Sequence, residues 1–445
     1  MPIALSPSCA ADAALVSLVA FLTAGDAWLG PNFALTCDDR GAGRGVVAVD
    51  AVPAGTAVAR VPLSLLMTNE ALLEEDEGLR AVAKGLSSTN LAALGLLRQR
   101  DPERAWASYA NALPRAVGTT LEWSEQELAE LQASDLLTHT RTRLDAIRRG
   151  HARVSAALAS ATPPSHDEFA WALSIVWSRA HTVRVGGKRG GALTPLLDLF
   201  NSDFTAPSAD AATLDDDGLV VRTARDLAAG DEVTVPYGDV SAISNARALL
   251  DYGCCSPGEN RHDDVAVPLT AEGCGGADTR AALDALDLLT SSRSPPARLG
   301  GLGASAGGTA DLPAELAAYG RVCAMDADGI GALLTDARSD DVAAQLALRE
   351  RLGAPLDASA DGAAAAAVAR LLRGRLAEDA TSAEHDAGLL SNPGRAARER
   401  FLCALRVRLA EKRILRAWAE RLEPDHDLSG AEADAPPLRG VAHEL

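Results

Sequence analysis

Gly230-Asp231-Glu232-Val233-Thr234-Val235-Pro236-Tyr237-Gly238 leads, past Ser244-Asn245-Ala246, into Leu249-Leu250-Asp251-Tyr252-Gly253. Val233 to Val235 predicts a strand, because β-branched residues fit a pleated surface. Pro236 restricts the backbone at its end, and Gly238 permits a turn directly after Tyr237. A hydroxyl set between a strand and a turn is placed to be presented rather than packed.

Working outward, Phe33 to Met67 alternates apolar and small residues, punctuated by Gly41, Gly43, Gly45 and the Pro53-Ala54-Gly55 turn. It predicts short strands and tight turns. From Asn69 to about Arg179 the pattern is helical, broken at Asp101-Pro102, Leu113-Pro114 and Pro163-Pro164. Gly186 to Tyr237 returns to strand and turn, with Leu219-Val220-Val221 as a further strand. After about Val267 the chain is helical again, and Leu402, Leu405, Leu409, Leu415, Trp418 and Leu422 mark one apolar helix face.

Gly300 to Gly308 is glycine-rich but far from any helix start that could use it as a phosphate cradle, so a flexible surface tip is expected there. The skeleton is α+β. A β-rich unit at 1–264 is interrupted by a helical insert at about 85–175; an all-α domain follows at 265–424, and a disordered acidic tail closes the chain at 425–445.

Apolar residues make up 47% of the 445, which excludes a disordered chain, and the formal net charge is -19. An acidic surface repels phosphate backbones, so nucleic acid is excluded as a direct partner, whereas a lysine-bearing protein is compatible. The seven cysteines, at 9, 37, 254, 255, 274, 323 and 403, form no CxxC pair and no cluster with histidine. This pattern predicts neither a disulfide framework nor a metal site, and points to an intracellular reducing compartment, cytoplasm or plastid.

Ala13 to Leu22 is apolar, yet Arg40 is the first basic residue, so neither a secretory leader nor an Arg-rich transit peptide is expected. Leu15, Leu18, Val19 and Leu22 have the spacing of a packed amphipathic helix. No apolar run reaches the roughly 20 residues that span a bilayer, so no membrane association is expected.

Several segments, taken in order, resemble one family. Gly43-Arg44-Gly45-Val46-Val47-Ala48 with Val52-Pro53-Ala54-Gly55 is similar to the opening motif of SET-domain protein methyltransferases. Trp106-Ala107-Ser108-Tyr109 with Leu113-Pro114, and then Trp123 to Leu128, resemble the helical insert of the Rubisco lysine methyltransferase branch. Phe169-Ala170-Trp171-Ala172 with Ser178-Arg179-Ala180 resembles the helix that re-enters the SET fold, and Pro195 to Asn201 the branch's P-x-x-D-x-x-N-H segment. The two Tyr-Gly segments follow in register. Thr381 to Asp386 and Arg406 to Leu415 resemble its substrate-binding domain. Only four of 445 residues are tyrosine, so chance puts one at a given position about 1% of the time. Tyr237 and Tyr252 nevertheless fall where the family places its active-site tyrosines.

The resemblance implies S-adenosylmethionine as methyl donor and a lysine-bearing, non-histone protein as acceptor, with the enzyme acting as a monomer. It implies that Tyr237 orients the acceptor amine and helps its deprotonation, while Tyr252 and Cys254 line the lysine channel. Gly43, Arg44, Gly45, Arg179, Asp198, Asn201, Ser202 and Tyr237 would contact the cofactor. Ser202 stands where the branch has histidine, and Cys254 where it has an aromatic residue. These two departures keep a catalytically silent SET-like interaction module open as an alternative. A protein-histidine methyltransferase is another, although Leu197 does not supply the tryptophan associated with that activity.

Overall fold

The computed structural model describes residues 3–38, 43–158, 162–185, 188–204, 206–215, 218–238, 243–272, 275–291, 294–301, 312–338, 341–356, 360–392 and 398–423. The acidic tail from Asp425 and nearly all of the glycine-rich stretch after Gly300 lie outside them. Among the described residues, no helix is long and apolar enough to cross a membrane.

Among the described residues there are thirteen short strands: β1 (Trp28–Leu29), β2 (Phe33–Asp38), β3 (Gly43–Ala48), β4 (Ala57–Val61), β5 (Met67–Thr68), β6 (Ala180–Val185), β7 (Lys188–Leu193), β8 (Asn201–Ser202), β9 (Thr213–Asp215), β10 (Gly218–Arg222), β11 (Thr234–Val235), β12 (Asp264–Val267) and β13 (Ala297–Gly300). They form small sheets, ordered β1-β4-β10-β9, β5-β7-β6 and β2-β3, with two-residue β8 parallel to β11. Helices occupy the stretch between β5 and β6, as expected for a helical insert in a β-rich fold.

The chain divides into two compact units. The first comprises Met1–Trp123, His139–Ile243 and Arg247–Asn260. Its core takes one face of the helix Ala13–Ala24 through Leu15, Leu18 and Leu22, together with Val46, Val58, Val61, Phe169 and Val221. Ser165 and Glu168 form a capping box that starts the helix His166–Arg179, which ends where β6 begins.

The second unit comprises Ser124–Thr138, Ser244–Ala246 and Arg261–Leu445. Among its described residues it is helical apart from β12 and β13, which pair antiparallel with Val265 opposite Leu299. Its core includes Leu316, Val368, Leu372, Leu415 and Trp418. A buried polar socket holds the segment Ser124–Thr138 within it. Asp386 accepts hydrogen bonds from Arg408 and Lys412, Arg408 also donates to the Glu130 carbonyl, and Ser134 donates to Glu411 at 2.7 Å.

Cys9 and Cys37 are joined by a disulfide, with their Cα atoms 5.3 Å apart, and Cys323 is disulfide-bonded as well. The expectation of no disulfides fails because spacing in the chain says nothing of spacing in the fold. The turn Cys9–Ala11 packs beside β2, which carries Cys37.

Candidate active site

Two neighbouring cavities of the first unit are lined by expected site residues. The smaller, of about 320 Å³, is lined by Leu18, Gly43, Arg44, Leu113 and Asn201, among others. The larger, of about 500 Å³, is lined by His181, Val183, Leu219, Gly238 and Tyr252, among others. Pro114, Arg179, Asp198 and Tyr237 line both. The cavities therefore share a wall, and a phenol, a carboxyl and a guanidinium stand in it. Both volumes suit a small-molecule or side-chain site.

Gly43 has φ +74°, the left-handed region that glycine enters without strain. The next residue, Arg44, points its guanidinium at Asp12 Oδ2, 2.6 Å away, and donates to the Ala112 carbonyl. Asp12 also caps the helix Ala13–Ala24 by accepting from the Ala14 and Leu15 amides. Burial alone would raise the Asp12 carboxyl, but Arg44 and the two amides hold it below the usual carboxylate range.

The shared wall is built on a turn. Leu196 has φ +77° with a buried side chain, a rare and strained conformation for a non-glycine residue. It throws the turn Leu197–Leu199 inward and buries Asp198. Tyr109 donates to Asp198 Oδ2 at 2.8 Å, and Arg179 Nη1 lies 3.8 Å from that oxygen while donating to the Asp198 carbonyl. Asp198 Oδ1 and Arg179 Nε are buried without a hydrogen-bond partner.

Buried polar atoms in proteins are normally satisfied, so two orphans in one cavity wall are groups that a polar ligand could satisfy. Burial pushes the Asp198 carboxyl above its ordinary value, partly offset by Arg179 and the Tyr109 hydroxyl. His181 accompanies them, with Nδ1 2.7 Å from Thr194 Oγ1 and its pKa lowered by burial.

Tyr237 follows β11, as its neighbours predicted. Its hydroxyl donates to the Phe200 carbonyl at 2.6 Å, and burial pushes its pKa well above the ordinary phenol value. Burial thus favours the protonated phenol, whose oxygen keeps a lone pair with which to orient a donor. The Tyr237 and Tyr252 rings are 4.8 Å apart, and Phe204 lies 6.4 Å from each. Three aromatic rings so grouped favour an alkylammonium.

Of the expected site residues, Gly43, Arg44, Arg179, Asp198, Asn201, Tyr237 and Tyr252 line the cavities, while Gly45, Ser202 and Cys254 line neither. Ser202 instead accepts the Tyr237 amide hydrogen through Oγ at 3.2 Å, bracing the strand that presents the phenol. Cys254 is exposed. Sequence reasoning missed Asp12 and Glu232, which bind site residues from distant positions, and the partnership of Tyr109 with Asp198.

Residues 43–238 match the SET domain family model, and residues 280–415 match that of the Rubisco LSMT substrate-binding domain. The chain thus carries a region similar to SET domains. The match to the Rubisco LSMT substrate-binding domain follows the SET match along the chain, so the chain resembles the Rubisco lysine methyltransferase branch. It is 31% identical over 236 residues to the chloroplastic ribulose-1,5 bisphosphate carboxylase/oxygenase large subunit N-methyltransferase of Nicotiana tabacum, which covers 49% of this chain and 47% of the relative. It is 29% identical over 229 residues to the chloroplastic fructose-bisphosphate aldolase-lysine N-methyltransferase of Arabidopsis thaliana, covering 47% and 46%. The alignments thus span about half the length of these relatives. The fold is similar to a solved structure of Rubisco LSMT bound to sinefungin and monomethyllysine, with a TM-score of 0.71 and 22% identity over 93% of this chain and 92% of that one.

Proposed function

We propose that the chain is an S-adenosylmethionine-dependent protein-lysine N-methyltransferase acting on a non-histone protein. The observation that carries this reading is the pair of cavities meeting at Tyr237. A methyl transfer needs a donor and an acceptor brought in line from two sides, and a shared wall provides that arrangement. The relatives support it through the activities in their names.

S-adenosylmethionine, when bound, supplies a methyl group on a positive sulfonium. The smaller cavity suits it: Arg44 and Arg179 offer guanidiniums to a carboxylate, Asn201 offers a polar amide, and Leu18, Leu113 and Leu199 offer apolar surface. In the larger cavity Tyr237 and Tyr252 would hold the acceptor side chain. A free lysine has a pKa of about 10.4, so presenting it neutral at pH 7 costs about 4.6 kcal/mol. Desolvation in the cavity beside the positive sulfonium would lower that pKa. The phenol's part is to aim the nitrogen.

The test is labelled-methyl transfer from S-adenosylmethionine into a cell lysate, followed by mass spectrometry of the labelled protein. Methyllysine in a non-histone protein is the expected product. Label on histidine alone would refute the lysine assignment. Absence of cofactor binding at millimolar concentration in calorimetry would sink the enzyme reading and leave an interaction module.

A further inference from the structure

We propose that Glu232 sets the polarity of the smaller cavity by fixing which atom of the Asn201 amide faces it, making Glu232 a positioning residue for the ligand's ammonium group. The inference rests on the methyltransferase reading for the identity of that ligand.

Asn201 Nδ2 donates to Glu232 Oε1 at 2.7 Å. A carboxylate only accepts hydrogen bonds, so the amide must turn its nitrogen toward Glu232, and chemistry alone settles which end is which. Asn201 makes no hydrogen bond through Oδ1 to any described residue. Since Asn201 lines the cavity, the atom left to face a ligand is an acceptor. Glu232 itself is exposed and lines neither cavity, so it acts through Asn201.

A second observation supports the arrangement. A Cβ on Gly45 would lie 2.9 Å from Glu232 Oε1 and 3.2 Å from Asn201 Nδ2. The missing side chain at 45 therefore makes room for this pair, and Gly45 serves the site without lining it. With guanidiniums elsewhere in the wall, an amide oxygen completes a match for an amino-acid zwitterion: cations for its carboxylate and an acceptor for its ammonium.

Calorimetry on the full chain would compare S-adenosylhomocysteine with its analogue in which hydrogen replaces the α-ammonium. In Glu232→Lys the new ammonium donates to Asn201 Oδ1 and turns Nδ2 toward the cavity. Affinity for S-adenosylhomocysteine should fall about tenfold or more, the worth of a hydrogen bond to a charged group. Affinity for the analogue should change less than about threefold, and Glu232→Ala, which frees the amide to turn either way, should fall between. In an Asn201→Ala background, Glu232→Lys should no longer discriminate between the ligands, whereas a through-space charge effect would persist there. Equal loss for both ligands, no loss, or discrimination surviving in that background each overturns the inference. If the unmutated protein binds neither ligand, the methyltransferase reading falls first and this inference falls with it.

Discussion

Glu411 is buried in the helix Glu399–Leu422, and its pKa is raised from 4.5 to about 8. Burial is the main cause; Ser134 and Arg375 oppose it, while Asp379 and Asp135 reinforce it. Below pH 4.5 the folded and unfolded chains both carry the proton. Between pH 4.5 and 8 the folded chain keeps a proton that the unfolded chain has released. Stability from this group is therefore fully present below the unfolded pKa and lost as pH rises through 8. At about 1.4 kcal/mol per pH unit, the loss is on the order of 5 kcal/mol over the whole range. Glu411→Gln keeps the shape and the acceptor for Ser134 but cannot ionise. Urea unfolding followed by circular dichroism from pH 5 to 9, with hydrogen exchange of the Glu399–Leu422 peptides, reads the effect. The unmutated protein should lose stability with pH more steeply than the variant, the gap widening until about pH 8. Parallel curves would show that Glu411 ionises in the folded state as readily as in the unfolded one, and the reasoning would be wrong.

Tyr237→Phe should leave cofactor affinity nearly unchanged and lower turnover by about 10²-fold, the cost of a misaimed reacting atom, with turnover of both proteins rising from pH 7 to 9 as the acceptor amine deprotonates; a near-normal rate would make Tyr237 a packing residue. Asp386→Ala strands Arg408 and Lys412, both buried, and should cost about 3–5 kcal/mol in urea unfolding. At Gly253, with φ +77°, a Cβ would sit 2.3 Å from the Val117 carbonyl oxygen. Gly253→Ala should therefore destabilise the first unit by more than about 2 kcal/mol, read by hydrogen exchange of the Asn245–Tyr252 peptides.

Much of this was legible in the sequence where one residue's chemistry decides its own conformation. The valines of Leu219-Val220-Val221 and Val233-Thr234-Val235 marked β10 and β11, and Gly238 marked the turn after Tyr237. What stayed hidden depends on partners brought together by folding. Asp12 and Arg44 are 32 residues apart, and Tyr109 and Asp198 are 89 apart. Nothing local in either partner announces the pair. Gly45 resembles a cofactor contact in the sequence, yet its side-chain neighbours are Glu232 and Asn201, because a glycine shows that something comes close without showing what. In Ala297–Gly300 no β-branched residue advertises β13, so the helical pattern around it concealed the strand.

The polar socket around Ser124–Thr138 also places a demand on the timing of synthesis. Ser134 meets Glu411 across 277 residues of chain, and Glu130 meets Arg408 across 278. At about 5–20 residues per second, a ribosome needs roughly 14–55 s to supply the second partner. Throughout that interval the segment has left the ribosome without the carboxylates and cations that will enclose it. The nascent chain must keep those fifteen residues soluble and uncommitted, and their polar, acidic composition of Ser124, Glu125, Glu127, Glu130 and Asp135 suits them to waiting.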